Sequence, residues 1–316
     1  MFKMIRTSGF GGAEVLKSRE SDRNAVGSGE VRIVVEAAGV GFVDVMQRSG
    51  AYPGVEANFV PGLEVAGRIT EVGDGVAPDM VGKIVYAMID SGGYSQEVVT
   101  PAAAVVPLPD GVSAVDAVAL GINAAVAYRC VEVARVSSGQ NVLVRGAGGG
   151  IGVHVVQAAK DRGAAVTVLT SSDERGKLLQ GLGAGQVIDR TAGVIGEDKA
   201  FDVIIDPVGG AEVPAMVGAL APNGYYVLCG GAAGFPAPDF GLPLLMNFQK
   251  SLTISAVSLS SLSLETLLSV FSSVFEAFTQ KRIASVVADV LPLEAAPEAH
   301  RRIEAGEVFG KIILKP

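Results

Sequence analysis

From residue 141 onward, aliphatic runs alternate with amphipathic stretches. NVLVR, AVTVL, QVID, FDVIID, GYYVLC and SLTISAV are apolar runs of strand length, and IGVHVVQAAKDRG, ERGKLLQGLG and AEVPAMVGALAPNG between them carry helical spacing. A parallel strand covered by helices on both faces reads as an unbroken aliphatic run. The six runs therefore predict an α/β unit with a doubly wound parallel sheet of six strands. Only about ten residues separate QVIDR from FDVII, near the lower limit for a βαβ crossover, so a vestigial helix is expected there. SLTISAV is expected last in the sheet, with an aliphatic, lightly charged edge.

Before residue 110 the pattern is different. Short runs such as VRIVVEAAGV, RITEVG and KIVYAMI are broken by SGAYPG, EVGDGVAPD and IDSGGY, which predicts a β-rich domain of short strands and tight turns. Around residues 113 to 135 the small-residue stretch SAVDAVALGINAAVAYRCVEVARV predicts a helix linking two domains. Past residue 260, LETLLSVFSSVFEAFTQKR predicts a helix, SVVADVL a strand, PEAHRRIEAG a short helix and GKIILKP a final strand. These last strands are expected to rejoin the first domain. The organisation read from the pattern is thus 1–118 plus 260–316 for the β-rich domain and 119–259 for the α/β domain.

A length of 316 residues suits two domains, and the balance of 49% apolar to 18% charged residues supports a buried core. The net charge of −8, with no basic run, removes the electrostatic footprint of nucleic-acid or anionic-membrane binding. No apolar leader opens the chain and no unbroken apolar stretch reaches ~18 residues, so a cytoplasmic protein is expected. Cys130, Cys229, His154 and His300 are the only cysteines and histidines, and they compose no metal-ligand cluster. Each cysteine reads as a buried thiol, and each histidine as structural or superficial, with no triad around it.

Residues 146–152, GAGGGIG, lie between the strand NVLVR and the helix IGVHVVQAAK. Ala147, Gly149 and Gly152 take the three positions of a GxGxxG-like fingerprint, with alanine at the first. Such a turn lets a pyrophosphate approach the backbone, and the amides of Gly150 and Ile151 at the helix opening face its oxygens. Dinucleotide binding is the reading. The second strand ends in Thr170, Ser171 and Ser172 where an acid would take the ribose 2′-hydroxyl of NAD. Small hydroxyls leave room for a 2′-phosphate, and Arg175 and Arg190 offer charge, so NADPH is expected over NADH. The competing feature is Asp173–Glu174, which would take the acid's part if the strand ran longer.

Taken together, AAGVGFVDVMQRSGAYP, PGLEVAGRITEVGDGV, GGYSQEVV, GAGGGIGVHVVQAAK, FDVIIDPVGG and AHRRIEAGEVFGKIIL are similar, in matching order, to the zinc-independent quinone oxidoreductase branch of the medium-chain dehydrogenase/reductase family. The resemblance implies a GroES-like catalytic domain built from both chain ends and a Rossmann domain, with the active site in the cleft. Zinc-dependent relatives carry a cysteine where this chain has Gly41 and a GHE motif where it reads Gly62, Leu63, Glu64. The resemblance therefore implies no zinc, and an acceptor that takes hydride unaided: a quinone or an activated enone.

By the same matching, Asp44 of the GVNxxD-like motif is kept, but Gly41 replaces its asparagine, and Asn123 replaces the threonine expected near the nicotinamide. Gly41 and Tyr52 are assigned to the substrate pocket, with Tyr52 a candidate hydrogen-bond or proton donor. Asp44 is read as fixing its loop by accepting backbone hydrogen bonds. Val208, Gly209, Gly230, Gly231 and Lys311 are implied cofactor contacts, against the plainer readings of turn glycines and a terminal surface charge. Two other functions stay open: enoyl reduction, and an NADPH-binding redox sensor with little turnover. The resemblance also implies a homodimer joined at the strand edge near residues 251–257.

Overall fold

The structure, a computed structural model, describes residues 1–170, 172–190 and 200–316. Ser171 and the 191–199 connection, where a vestigial helix was expected, lie outside the described residues. The chain forms two compact units, Met1–Ile122 with Leu264–Gln280 and Ser285–Pro316, and Asn123–Ser263 with Lys281–Ala284.

In the first unit, β1 (Phe2–Thr7) and β2 (Leu16–Ser21) make an antiparallel ribbon. Then come β3 (Glu30–Val40), α1 (Phe42–Ser49), β4 (Glu64–Val72), β5 (Ile84–Met88), β6 (Glu97–Pro101), β7 (Val105–Pro107) and α2 (Ala114–Val133), whose residues from Asn123 on belong to the second unit. β3 is the longest strand because three neighbours divide it: β4 on one side, and β6 and β15 (Lys311–Lys315) along the other. Its apolar residues Val31, Ile33 and Val35 are buried with Val65, Ile69, Val85, Ile312 and Leu314.

α2 is the linking helix, and it is not continuous. At Gly121 the backbone leaves helical geometry (φ 17°, ψ −126°), one residue before the first unit ends. By length and composition α2 could cross a membrane, but most of it is buried inside the protein, as a core helix is.

The second unit holds β8 (Asn141–Val144), α3 (Gly150–Asp161), β9 (Ala165–Thr170), α4 (Asp173–Gly181), β10 (Gln186–Asp189), β11 (Phe201–Asp206), α5 (Val213–Gly218), β12 (Leu220–Leu228), α6 (Leu242–Met246) and β13 (Thr253–Ala256). All six strands are parallel, in the order β10-β9-β8-β11-β12-β13. This is the doubly wound arrangement expected from the aliphatic runs, with β13 at an edge.

One helix is shorter than its pattern. The stretch AEVPAMVGALAPNG opens in a 3-10 turn (Gly210–Glu212), is α-helical only over Val213–Gly218, and gives way to β12 at Leu220. Asn223 takes a left-handed φ of 62°, and the pairing with β11 shifts register between Phe201 and Val203. Pro222-Asn223-Gly224 is therefore a strand irregularity rather than helix.

The chain closes with α7 (Leu264–Thr279), β14 (Val287–Pro292), α8 (Ala296–Glu304) and β15. β15 lies beside β3 in the sheet of the first unit, and β14 pairs outside it.

Candidate functional site

At the C-terminal ends of β8, β11 and β12, neighbours in the sheet, three turns meet. α3 starts at Gly150 with Gly149 as its N-cap, so the helix dipole and the free amides of its first turn open on the glycine loop. Gly152 sits where the helix crosses that loop. A methyl group there would lie 2.2 Å from the Gly146 carbonyl oxygen and 2.6 Å from Ala147 Cα, so only glycine fits. Asn123 is buried against Gly150, its Nδ2 only 2.3 Å from where a Cβ would be. The loop is further bounded by Val208, whose Cγ2 would be 2.7 Å from a Cβ on Gly146.

The turn after β11 is held by a charged cluster that sequence reasoning did not single out. Asp206 is fully buried and accepts from Arg145 Nη1 (2.7 Å), Tyr226 Oη (2.5 Å), and the amides of Val208 (2.7 Å) and Gly209 (3.0 Å). Arg145 also donates to the Gly209 carbonyl (3.0 Å) and to Glu212 (2.5 Å). Burial and the Asp206 charge push the Tyr226 hydroxyl well above its usual range, so it stays a donor. Gly230 lies against the same turn, a Cβ there being 2.4 Å from the Pro207 oxygen, whereas a Cβ on Gly231 would meet nothing nearer than the Gly234 oxygen at 3.8 Å. Cys130 and Cys229, distant in sequence, meet nearby. The hydrogen bond between them, then burial, raise the Cys229 thiol.

β9 ends at Thr170, and Asp173 and Glu174 fall in the first turn of α4. The strand thus does not run on to present either acid at its tip. Ser172 caps α4, its hydroxyl oxygen accepting the Arg175 amide (3.3 Å), which leaves the hydroxyl hydrogen free to donate. Arg175 is half-buried, and Arg190 is exposed after β10, one strand further out.

In the first unit, the candidate residues gather round buried carboxylates. Asp44, in the first turn of α1, accepts the amides of Gly41 (2.7 Å) and Gly62 (3.1 Å) and the Tyr94 hydroxyl (3.2 Å). Burial raises its pKa to about 6, opposed by the Gly41 amide, the Lys311 charge, the Gly62 amide and Tyr94. A methyl group on Gly41 would sit 3.5 Å from Asp44 Oδ2 and 4.0 Å from Lys311 Nζ, so the side chain missing at Gly41 leaves space beside both.

Lys311 is not a terminal surface charge. It is 4% exposed and donates to Glu64 Oε1 at 2.5 Å. Glu64 Oε2 accepts the Tyr86 hydroxyl (2.8 Å) and the Ile122 amide (3.0 Å), tying the carboxylate to the break in α2. Tyr86 is clasped by Phe271 and Phe275 of α7, at ring separations of 4.8 and 5.6 Å. Tyr52 stands apart, 41% exposed and with its amide bonded to the Met46 carbonyl. His300 is fully buried against Tyr94, and His154 is buried beside Gln157. Among the described residues no three His, Cys, Asp or Glu side chains converge as a metal site.

A two-unit chain with a doubly wound sheet, a glycine loop at a helix N-terminus and a separate β-rich unit is the arrangement of a nucleotide-dependent dehydrogenase or reductase. The comparisons agree. Residues 27–110 match the alcohol dehydrogenase GroES-like domain, and residues 182–314 match the model described as zinc-binding dehydrogenase. A mouse quinone oxidoreductase is 33% identical over 331 residues, covering 99% of this chain and 98% of its own. The solved quinone oxidoreductase of Pseudomonas syringae superposes with a TM-score of 0.92 at 29% identity, covering 100% of both chains. That of Escherichia coli, complexed with NADPH, gives 0.92 at 26% identity, covering 99% of this chain and 100% of its own. The chain belongs to the medium-chain dehydrogenase/reductase family, in its quinone oxidoreductase-like group, and is an oxidoreductase.

Proposed function

We propose that this protein is an NADPH-dependent reductase of quinones and related conjugated carbonyls, working without zinc as a homodimer. The observation that carries the reading is the strand–glycine loop–helix unit, with Asn123 against Gly150 and the Arg145–Asp206 cluster holding the adjoining Val208–Gly209 turn. The first-turn amides of α3, those of Gly150 and Ile151 among them, would hold the pyrophosphate, and Val208, Gly209 and Gly230 would line its approach. Ser172 and Arg175 would take the 2′-phosphate, one as a hydroxyl donor and the other as a charge. Bound NADPH supplies the hydride.

Zinc does not fit the residues present. At the two positions where zinc-dependent relatives carry a cysteine and a histidine, Gly41 and Leu63 offer no donor atom. The acceptor must then already be electron-poor, and the space left at Gly41 gives its oxygen room beside the Lys311 ammonium.

The direct test follows NADPH and NADH absorbance with the purified protein and a small quinone. NADPH oxidation dependent on the quinone is expected, and silence with every acceptor would refute the reading. Arg175→Ala is expected to weaken NADPH about tenfold and leave NADH unchanged, because only the 2′-phosphate loses its partner. Equal loss for both cofactors would remove Arg175 from that role.

The dimer has its own support. Phe235, Leu245, Met246 and Phe248, between 72% and 88% exposed, lie in the stretch of chain that leads from β12 to the edge strand β13. Four large exposed apolar side chains on the chain leading into an edge strand are a surface that a second copy of the chain would cover. Sedimentation at micromolar concentration is expected to give a dimer, and Met246→Glu/Phe248→Glu a folded monomer. A monomeric wild type, or a dimer that ignores both charges, would defeat this.

A further inference from the structure

We propose that Tyr94 and His300 are positioning residues of the reduction site. Through one buried chain of hydrogen bonds they hold the Asp44 carboxylate, and with it the Gly41 and Gly62 turns, in the geometry that receives the acceptor. The inference rests on the reductase reading of the Gly41 pocket.

The chain has a direction. Tyr94 donates its hydroxyl hydrogen to Asp44 Oδ2 (3.2 Å), so toward His300 Nε2, 3.0 Å away, its oxygen is the acceptor. The imidazole proton is therefore assigned to Nε2. The rings meet edge to face, with centroids 5.8 Å apart at 87°. Neither ring reaches solvent, and Asp44 is 2% exposed. No outside donor can replace a lost one.

The charges around the chain favour this state. Lys311 on β15 faces Asp44, Arg48 on α1 faces both Tyr94 and His300, and Glu64 on β4 acts on Tyr94. Glu304 on α8 pairs with Arg48. Burial first, and the Arg48 charge second, lower the His300 pKa to about 3, so the ring stays neutral and keeps its single donor. Burial, then Asp44, hold the Tyr94 hydroxyl protonated.

The chain fixes the pocket backbone directly. Gly62 has a φ of 100°, and a Cβ there would lie 2.6 Å from Tyr94 Cδ1 and 2.8 Å from the Tyr94 nitrogen. Tyr94 thus packs on one of the two turns whose amides Asp44 gathers. A protonated Asp44 must give one oxygen to its own hydrogen, and its acceptor role weakens. Turnover is expected to fall as pH drops through about 6.

The test reads the carboxyl itself. In protein carrying ¹³C-carboxyl aspartate, the Asp44 resonance is identified by its loss in Asp44→Asn and titrated in the wild type, Tyr94→Phe, His300→Phe and His300→Gln. Tyr94→Phe removes a donor to the charged form, so the midpoint is expected to move up from about 6. The kcat for a small quinone is expected to drop about tenfold, with KM for NADPH unchanged. His300→Phe should move both readings the same way by less, and His300→Gln, whose amide donates from the Nε2 position, should restore them. If Tyr94→Phe does not fold, the His300 pair carries the test. An unmoved midpoint in folded variants, or a moved midpoint with unchanged kcat, would overturn the proposal. A wild type that reduces no acceptor while its midpoints move as stated would overturn the reductase reading and leave the chain standing.

Discussion

Gly152→Val is expected to abolish measurable NADPH binding, a loss of at least about a hundredfold, and to lower the melting temperature as well. The atoms a Cβ would strike, the Gly146 oxygen at 2.2 Å and Ala147 Cα at 2.6 Å, are backbone and cannot swing aside. Either α3 lifts off the loop or the loop moves, and in both cases the amides at the helix N-terminus lose their aim. Gly149 separates the two effects. A methyl group there meets nothing nearer than the Gly146 oxygen at 3.4 Å, so Gly149→Ala should melt with the wild type. Its affinity should still fall about tenfold, because the methyl group stands where the pyrophosphate comes closest to the backbone. NADPH fluorescence titration beside thermal melts followed by circular dichroism reads both quantities. Unchanged affinity in a folded Gly152→Val protein would remove this loop from cofactor binding.

The glycine loop is legible in the amino-acid sequence because its signal is local. The turn, the strand ahead of it and the helix after it lie within about thirty residues, and each has its own pattern. The six parallel strands are legible for a related reason: with helices on both faces, each strand is aliphatic throughout. Where local pattern and tertiary pairing compete, the pattern misleads. AEVPAMVGALAPNG has helical spacing to its end, but Leu220 pairs with Phe201, and the chain from there on is strand.

The buried polar clusters are illegible because register alone assembles them. Glu64, Tyr86 and Lys311 lie on three strands, and the pairings Ala66 with Tyr86 and Ile312 with Val40 bring them together. His300 and Tyr94 are 206 residues apart, so a scan for neighbouring carboxylates has no means of connecting His300 to Asp44. One sequence signal does point there. Gly39 sits inside a strand, where glycine often marks a close approach, and a Cβ there would lie 2.6 Å from Glu64 Oε1 and 2.8 Å from Lys311 Cε. Its meaning depends on partners that only the fold names.

Lys311→Met is the substitution expected to cost most stability away from the glycine loop. Lys311 is 4% and Glu64 2% exposed at the side chain, and their contact is 2.5 Å. Removing the ammonium leaves the buried Glu64 carboxylate without its cation and with only the Tyr86 hydroxyl and the Ile122 amide as donors, and breaking a buried pair in this way typically costs about 3–5 kcal/mol. For a unit of this size that corresponds to a fall in melting temperature on the order of 10 °C. Lys311→Met/Glu64→Gln should recover most of it, because two matched neutral groups carry no uncompensated charge, while either single change leaves one. Calorimetry of the four proteins closes the cycle, and a single variant melting within a degree or two of the wild type would show that the pair is not a stabilising contact. The Asp44 carboxyl offers an internal check. Lys311 is among the influences holding its pKa down, so in Lys311→Met its titration midpoint must rise above about 6, and the acid limb of turnover with it.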